Sequence, residues 1–472
     1  MKKNFLAMTA LAAMLFAGCT SSDDLTTRET ITKANEAATP INFGTYMGKT
    51  GTRTTNGKTG AITTTSLHTG TSATDGFGVF AYYTDTTPWA NNQTSFNANF
   101  MYNQQVTTDG STGWSYSPAK YWPNDIATAA AVDNQSPAAT GSVTGGKVSF
   151  FAYAPYVENT TGDDGIVGMT SNTANEAPKI TYKLPNTPNE SSIVDLLWGM
   201  RGAAYYQAPD GTASGSATGY NTDLTKQTKD EKVNFLFKHA LARLGGSATT
   251  GNHGGIWVAL DIDDVRTSTG NSNSVAKPDA TLVTVKSIKI ENGELSTPYT
   301  FKRQGIFNLA TGTWSSLSDD YTISDEVKYN DPSTKLNSAI AEPATLTNGG
   351  SGWNVAGVTT DLQQMYTGKD SYYLIPSTTD QTLKITVEYT VRTYDAKLSN
   401  SGNPWTTVNQ TISKIVTFTG GLESNKIYRL NLYLGLTSVK FTATVSNWSP
   451  ASGGDEGEEL REVDLPINVA NP

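Results

Sequence analysis

The sequence contains few of the residues that carry most enzyme chemistry. Its 472 residues include one cysteine and three histidines, His68, His239 and His253. None of the histidines lies at the spacing of a metal-ligand pair. No glycine-rich nucleotide-binding motif or nucleophile elbow follows a predicted strand and opens a helix. The sequence therefore predicts no enzyme activity, no metal and no cofactor.

Clustered positive charge is also missing. The formal net charge is −9, and no group of lysines and arginines forms the footprint expected for nucleic acid or an anionic membrane surface. Beyond the N-terminal residues there is no long apolar run. These absences argue against nucleic acid and anionic membrane surfaces as partners of this acidic chain.

Two groups of residues still deserve a chemical interpretation. Asp261, Asp263 and Asp264 form a tight carboxylate cluster, and hard cations such as Ca²⁺ take oxygen ligands. The stretch lacks the glycine and the spaced glutamate of an EF-hand loop, so a solvated strand end is favoured over a calcium site. His239 shares the sequence parity of Phe237, which predicts a core or interface histidine rather than a catalytic one.

The N-terminus has the layout of a secretory signal. Two lysines precede an apolar run over residues 5–16, and Ala17 and Gly18 precede Cys19. The run is too short for a spanning helix that stays in the membrane. Small residues before a cysteine resemble a bacterial lipobox, so residues 1–19 are predicted to be a lipoprotein signal and Cys19 the lipidated residue. No second cysteine is present for an intrachain disulfide.

Strand and turn residues are plentiful. The chain contains 43 Gly, 22 Tyr and 9 Trp, which favours strands joined by turns. Apolar and polar residues alternate most clearly over residues 383–394, and residues 232–244 are predicted as a strand that ends in a turn of helix. The other predicted strands are residues 78–84, 147–155, 179–184, 256–262, 281–290, 372–376, 414–418, 426–434 and 439–448.

These segments predict an all-β fold with an antiparallel β-sandwich in each half. The glycine-rich residues 245–255 mark the boundary between an N-terminal sandwich over residues 54–245 and a C-terminal sandwich over residues 256–449. Polar insertions at residues 127–146 and 207–230 are interpreted as surface loops.

The first alternating segment is followed by a stretch suited to proteolysis. Ile41, Phe43 and Met47 form a short strand pattern, and residues 48–60 are rich in glycine, threonine and basic residues, with Arg53 in the middle. A trypsin-like cut after Arg53 would leave the first strand held only by non-covalent contacts. The alternative is an ordinary arginine in an exposed loop.

The last segment alternates in the same way. Residues 460–471 follow a Pro-, Gly- and acid-rich stretch, residues 450–459, that is typical of a flexible tether. The apolar side chains of one parity are Val463, Leu465, Ile467 and Val469. The segment either closes its own sandwich or adds a strand to a neighbouring molecule. Pro466 weakens the second interpretation, because proline donates no backbone hydrogen bond.

An energy estimate shows what the intermolecular alternative needs. Burying four such anchors contributes roughly 6 to 12 kcal/mol, and ordering about ten residues costs a similar amount. Exchange of the strand therefore requires a groove with an unpaired edge, where new backbone hydrogen bonds are formed.

Several motifs, taken in order, resemble the fimbrillin, or Mfa-like, family of Bacteroidales pilins and related surface lipoproteins. They are the lipobox followed by acidic residues, VFAYY at 79–83, Tyr121-Trp122-Pro123, VSFFAYAP at 148–155, DLLWG at 195–199, VNFLFKHALARL at 233–244, FNLATGTW ending at Trp314, YYLIP at 372–376 and LESNKIYRLNL at 422–432.

The resemblance implies two transthyretin-like β-sandwich domains and a lipoprotein precursor at the cell surface. It also implies that residues 20–53 are a propeptide removed by cleavage after Arg53, and that residues 460–472 are a donor strand for the next copy of the chain. A cut site together with a donor strand favours a shaft subunit, with tip and anchor pilins as further partners. The alternative is a monomeric or anchor-type surface lipoprotein that binds host protein or glycan.

Overall fold

The computed structural model describes eighteen segments of the chain. They are residues 40–46, 76–91, 93–108, 113–123, 146–158, 160, 162–186, 193–201, 221–224, 232–244, 255–260, 281–293, 300–328, 363–366, 372–394, 405–434, 439–447 and 469–470. Within them the secondary structure consists of strands and one 3₁₀ turn, Trp89–Asn91.

The strands of the first half, in chain order, are β1 (Asn42–Tyr46), β2 (Phe77–Asp85), β3 (Met101–Thr108), β4 (Trp114–Ser115), β5 (Lys147–Ala154), β6 (Gly165–Met169), β7 (Lys179–Lys183), β8 (Leu197–Arg201), β9 (Asn221–Leu224), β10 (Lys232–His239) and β11 (Ala242–Leu244). Those of the second half are β12 (Gly255–Leu260), β13 (Thr281–Asn292), β14 (Lys302–Asn308), β15 (Thr313–Asp320), β16 (Ser324–Lys328), β17 (Gln363–Tyr366), β18 (Tyr372–Leu374), β19 (Gln381–Tyr394), β20 (Trp405–Phe418), β21 (Lys426–Leu434), β22 (Val439–Asn447) and β23 (Val469–Ala470).

The strands form four sheets. An N-terminal sheet has the order β1-β10-β8-β5-β2-β3-β4, with β9 beside β5, and a C-terminal sheet has the order β16-β13-β19-β20-β23. A third sheet has the order β17-β12-β21-β11-β18, with β22 beside β21. It combines β11 of the first half of the chain with strands of the second half. A fourth, the bridging sheet, has the order β15-β14-β7-β6. The all-β class predicted from the alternating segments is confirmed.

The N-terminal sheet is buried on both faces. Val79 and Phe80 are neighbours in β2 that point to opposite sides, and both are fully buried. Val79 belongs to an inner core formed by the N-terminal sheet together with Ile41 and Trp122, whereas Phe80 belongs to a main core that continues to Leu434 in the second half. The inner core consists of Ile41, Phe43, Phe77, Val79, Ala81, Met101, Val106, Trp122, Val148, Phe150, Ala152, Ala154, Leu197, Val233, Phe235 and Phe237.

The two halves of the chain share hydrogen-bonded strands. In the bridging sheet β7 pairs with β14 from Lys179–Asn308 to Lys183–Gln304. Arg303 adds a side-chain bond from Nε to the Leu184 carbonyl at 2.6 Å and an ion pair with Asp164 at 2.7 Å. The halves are therefore joined by a continuous ladder as well as by packing.

A second connection lies at the corner between β10 and β11. The Ala240 carbonyl accepts hydrogen bonds from Trp314 Nε1 at 2.8 Å and from Ser424 Oγ at 2.9 Å. The Asn425 N–H donates to the Leu241 carbonyl at 3.0 Å. These donors come from the second half of the chain, and they satisfy carbonyl groups that the bend leaves outside the ladders.

The corner corrects one prediction. Residues 232–244 were expected to form a strand that ends in a turn of helix, but Ala240 and Leu241 form a bend between two strands. The apolar stripe that suggested a helix arises because the chain turns from the N-terminal sheet into the third sheet, and side chains on both sides of the bend are buried.

The domain division predicted at residues 245–255 falls almost entirely outside the described residues and stays a prediction. On its N-terminal side, β11 already pairs with β18 and β21 of the second half. β6 and β7 likewise lie in the bridging sheet with β14 and β15. Sheet membership therefore does not follow the order of the two halves along the sequence.

Three of the strand pairs are parallel, β1 with β10, β11 with β21 and β12 with β21. The other described pairs are antiparallel, as expected. Parallel neighbours need a long connection, and each of these pairs joins strands that are far apart in the sequence. No tight turn therefore fixes their relative direction.

The close approach of Gly312 to Trp198 gives a test of the packing between the halves. Gly312 has φ +68°, and a Cβ there would lie 2.3 Å from Trp198 Cη2. We expect Gly312→Ala to lower the free energy of unfolding by about 2 to 4 kcal/mol, because overpacking of about 1 to 3 kcal/mol adds to about 1 kcal/mol of backbone strain.

Gly420→Ala is the matched control for this variant. Gly420 also has a positive φ, +77°, but a Cβ there meets nothing within 4 Å. It should lose only about 1 kcal/mol, the backbone strain alone. Thermal or urea unfolding of both variants measures the difference, and equal losses would contradict a packing role for Gly312.

Candidate functional site

The candidate site is the place occupied by β1 at the edge of the N-terminal sheet, which we call the strand seat. β1 runs parallel to β10, with Phe43 paired with Val233 and Thr45 with Phe235. β10 continues the sheet on its other side through an antiparallel pairing with β8. The first wall of the strand seat is therefore the backbone of β10.

The second wall is the segment that follows β4. The Ile41 N–H donates to the Lys120 carbonyl at 2.9 Å, and the Tyr116 hydroxyl donates to the Ile41 carbonyl at 2.9 Å. Pro40 forms an antiparallel bridge with Tyr121. The start of the β1 segment is thus held by this second wall through contacts to its backbone, which depend little on side-chain identity.

The floor of the strand seat is the inner core. Ile41 and Phe43 point into it and are 1% and 2% exposed. The Phe43 ring lies 5.3 Å from the Tyr116 ring, 6.0 Å from those of Phe150 and Phe235, and 6.3 Å from that of Phe77, measured between centroids. Phe43 therefore fills a pocket whose walls are aromatic rings in edge and stacked contacts.

The Tyr116 hydroxyl remains a hydrogen-bond donor at neutral pH. Burial raises its pKa above the ordinary tyrosine value, and the hydrogen bond with the Lys120 backbone acts in the opposite direction without cancelling the rise. The same oxygen accepts a bond from the Lys120 N–H at 3.2 Å. Tyr116 thus connects the second wall of the strand seat to the backbone of the β1 segment.

The strand seat is suited to binding an extended segment. It presents a strand edge, a second set of backbone partners and a buried apolar floor. These are the features by which a sheet accepts an added strand, since backbone bonds give affinity and pockets for alternate side chains give specificity. Burial of Ile41 and Phe43 contributes about 1.5 to 3 kcal/mol each.

Of the residues predicted for this site, the structure brings Ile41 and Phe43 together in the strand seat. Met47, Arg53, Cys19, Val463, Leu465 and Ile467 lie outside the described residues. The sequence interpretation missed Tyr116, Lys120 and Trp122 as seat residues. The Tyr121-Trp122-Pro123 motif contributes to the family resemblance, but no pattern in the sequence predicts that it lies beside residue 41.

The end of the C-terminal segment lies on the chain's own C-terminal sheet. β23 pairs antiparallel with β20, with Val469 opposite Val416 and Ala470 opposite Ile415. β23 forms one edge of that sheet. In this form of the chain, then, β1 fills the strand seat and the end of the tail has a partner within the same molecule.

His239 is a buried structural residue, as its parity predicted. Its side chain is 1% exposed, and Nδ1 lies 2.8 Å from Asp195 Oδ2, which is itself fully buried. The His239 N–H donates to Asn425 Oδ1 at 3.2 Å, so the pair lies at the corner that joins the two halves. His68, His253 and the carboxylates of Asp261, Asp263 and Asp264 lie outside the described residues.

The described segments show no features of a metal centre. They contain no group of three or more histidine, cysteine, aspartate or glutamate side chains placed to hold a metal ion. Within the same residues, no helix has the length and apolar character needed to cross a membrane.

Comparison with known proteins gives both sequence and structural relatives. No protein-family model matches the chain. The fimbrium subunit Fim1C of Phocaeicola vulgatus is 22% identical over 412 residues, which cover 84% of this chain and 87% of that protein. A crystal structure of a fimbrial protein from Bacteroides vulgatus aligns with a TM-score of 0.52 and 21% identity, covering 87% of this chain and 99% of the other.

A putative cell adhesion protein from Bacteroides uniformis aligns with a TM-score of 0.35 and 12% identity over 88% of this chain and 99% of the other. Fim1C and the Bacteroides vulgatus structure are named as fimbrial proteins rather than as enzymes, in agreement with the prediction from the scarce histidine and cysteine. The sequence relative and the shared fold confirm the resemblance found in the motifs: the chain is similar to a Bacteroidales fimbrium subunit.

Proposed function

We propose that this chain is a shaft subunit of a surface fimbrium that polymerises by donor-strand exchange. In this proposal the chain is exported as a lipoprotein precursor anchored through Cys19 and is cut after Arg53. Release of β1 then empties the strand seat, and residues 460–472 of another copy enter it. The observation that carries the proposal is the construction of the strand seat around β1.

The position of Arg53 supports this order of events. It lies between the last residue of β1, Tyr46, and the first residue of β2, Phe77. A cut there breaks the covalent connection from β1 to the strands that follow it, because the chain is linear and its one cysteine cannot form a disulfide within it. β1 would then be held by its pairing with β10, its bonds to Tyr116 and Lys120, and two buried side chains.

An empty strand seat would not be stable in water. It would expose the floor beneath Phe43 and leave the β10 edge without a ladder partner. Unpaired edges of this kind readily accept a strand from another chain. A donor with alternating apolar residues restores both the burial and the backbone bonds, so occupation by a second copy is favoured once β1 has gone.

The geometry of such a contact leads to a filament. The donor segment is at the C-terminus and the strand seat lies in the N-terminal sheet, so the two surfaces of the contact differ. A heterologous contact that does not close into a ring repeats indefinitely. Tip and anchor pilins would form the two ends of the filament. Cleavage by a trypsin-like protease would start its assembly.

In the precursor, the tail would remain unused. With β1 in its seat there is no vacancy for a donor, and Val469 and Ala470 pair with β20 of the same chain. Pairing of the tail within its own molecule lowers the tendency of unprocessed copies to associate. Cleavage would then be the step that makes assembly favourable.

The same pairing favours a second candidate function. If both ends remain folded into their own sheets, the chain is a monomeric surface lipoprotein that binds host protein or glycan. The observation that supports this second candidate is the pairing of Val469 with Val416. N-terminal sequencing of the mature surface form separates the two candidates, since a start at Thr54 supports the shaft subunit and a start at lipidated Cys19 supports the monomer.

Substitution of Arg53 tests the processing step. Arg53→Ala should abolish polymer, because β1 stays covalently attached and keeps the strand seat filled. The measurement is the ladder of SDS-resistant species from cells, together with electron microscopy of surface filaments. Arg28→Ala is the matched control, since a cut after Arg28 would leave β1 attached; this variant should polymerise like the wild type. Normal filaments from Arg53→Ala would contradict the proposal.

Removal of residues 460–472 tests the donor step. The truncated chain should be processed normally but fail to polymerise alone. Coexpressed with the wild type it should shorten filaments, because its strand seat accepts a tail while it has none to give. The control combines the truncation with Arg53→Ala, which removes both surfaces, and it should leave filament length unchanged. Full-length filaments built from the truncated chain would rule out this donor.

A further inference from the structure

The C-terminal segment resembles in sequence the strand that occupies the seat. Residues 40–45 read Pro-Ile-Asn-Phe-Gly-Thr, and residues 466–471 read Pro-Ile-Asn-Val-Ala-Asn. The first three residues are identical, and the next three keep the order apolar, small and polar. Both segments place apolar side chains two residues apart, as a half-buried strand requires.

We infer that the tail enters the strand seat of a second copy in one register, with Pro466 in the place of Pro40, Ile467 in that of Ile41 and Val469 in that of Phe43. The inference rests on the proposed donor-strand exchange and adds to it which tail residue meets which seat residue. It also sets the direction of the donor, which runs parallel to β10 as β1 does.

The backbone contacts of the strand seat fit this register. Ile467 would donate its N–H to the Lys120 carbonyl and accept from the Tyr116 hydroxyl, as Ile41 does. Pro466 would take a position that already holds a proline, next to Tyr121. The missing N–H of proline, which counts against a strand in general, then removes no bond that the resident strand makes.

A competing register places the tail four residues further along. Val463 then takes the place of Ile41, Leu465 that of Phe43 and Val469 that of Met47, so more apolar residues coincide. However, this register puts Pro466 in the place of Gly44, a buried position inside β1 that pairs with Asn234. A proline there removes an N–H from the middle of the strand and adds a ring at a site that holds no side chain.

The pocket of Phe43 is larger than the side chain that the inferred register places in it. Four aromatic rings surround Phe43, and Val469 is smaller than phenylalanine. In the inferred register the tail therefore leaves part of this pocket unfilled. The contact between two copies would therefore be less closely packed than the contact of β1 within its own chain. A larger side chain at position 469 should improve that packing.

Disulfide trapping tests the register directly. In β1, Asn42 pairs with Lys232, which is exposed. Lys232→Cys combined with Asn468→Cys should therefore join successive subunits, since paired strands lie about 4.8 Å apart and a disulfide requires Cα atoms within about 7 Å. The readout is a ladder on non-reducing gels that collapses to monomer with a reductant.

Lys232→Cys with Asp464→Cys is the matched control, because Asp464 would face Lys232 only in the competing register. The two donor positions have the same parity and lie about 13 Å apart along a strand. Adding Arg53→Ala to the Lys232→Cys and Asn468→Cys pair should abolish the ladder, because Asn42 then stays beside residue 232.

The outcomes separate the register from the proposed function. The inference is supported if the pair with Asn468→Cys gives a ladder and the pair with Asp464→Cys gives none. Filaments that cross-link through Asp464→Cys instead overturn the register and keep strand exchange. Filaments that cross-link through neither position overturn the register, and the truncation of residues 460–472 then decides whether strand exchange is kept. Absence of polymer from the processed parent chain overturns both the register and the proposed function.

Filling the Phe43 pocket is an independent test. Val469→Phe should raise the temperature at which filaments dissociate in SDS by several degrees, because its ring enters the unfilled part of the pocket. Leu465→Phe should lack that gain, since residue 465 precedes the strand seat in the inferred register. A gain from Leu465→Phe and a loss from Val469→Phe would overturn the inference in favour of the competing register.

Discussion

The closure of the inner core by β1 is the contact on which the rest of the site depends. The N-terminal sheet packs one face onto aromatic and aliphatic side chains that it supplies itself, and the gap between β10 and residues 116–121 is filled by a single short strand. A core closed by one edge strand is complete only while that strand is present. This dependence makes a five-residue element important to a chain of 472 residues.

The contacts of β1 are divided between two kinds of interaction with different selectivity. The Tyr116 hydroxyl donates to the carbonyl of residue 41, and the Lys120 carbonyl accepts from its N–H. These bonds would hold any extended segment with a free N–H at that position. The aromatic pocket around Phe43 responds to the size and shape of one side chain. The backbone hydrogen bonds would accept many strand sequences, whereas the aromatic pocket would favour those with a side chain that fits it. Strand addition elsewhere combines affinity and specificity in the same way.

Much of this architecture could be predicted from residue alternation. β19, β21 and β5 have one or both faces buried and show the pattern plainly, as do Ile41 and Phe43 in the strand seat. The strands that were missed are polar or short. β15, with the sequence TWSSLSDD, is mostly exposed, and β3, with MYNQQVTT, places Met101 and Val106 in the core but has polar residues between them. A strand that buries little leaves little signal in hydrophobic periodicity.

The pairing of strands was beyond the reach of local pattern. The parallel contact of β1 with β10 and the antiparallel contact of β7 with β14 join segments more than a hundred residues apart in the sequence. Turn residues specify hairpins because the two strands are neighbours in the chain, but no such constraint acts here. Tyr116 was missed for the same reason, since its partner is the carbonyl of residue 41 rather than a nearby group.

The bridging sheet has a mechanical consequence. Because β7 and β14 hold the two halves together through five paired residues, and because Arg303 and the carbonyl of Ala240 add cross-connections, bending one half against the other would break several bonds at once. Each molecule should therefore resist bending between its two halves under load. The compliance of any assembly made from this chain must then reside in the joints between molecules.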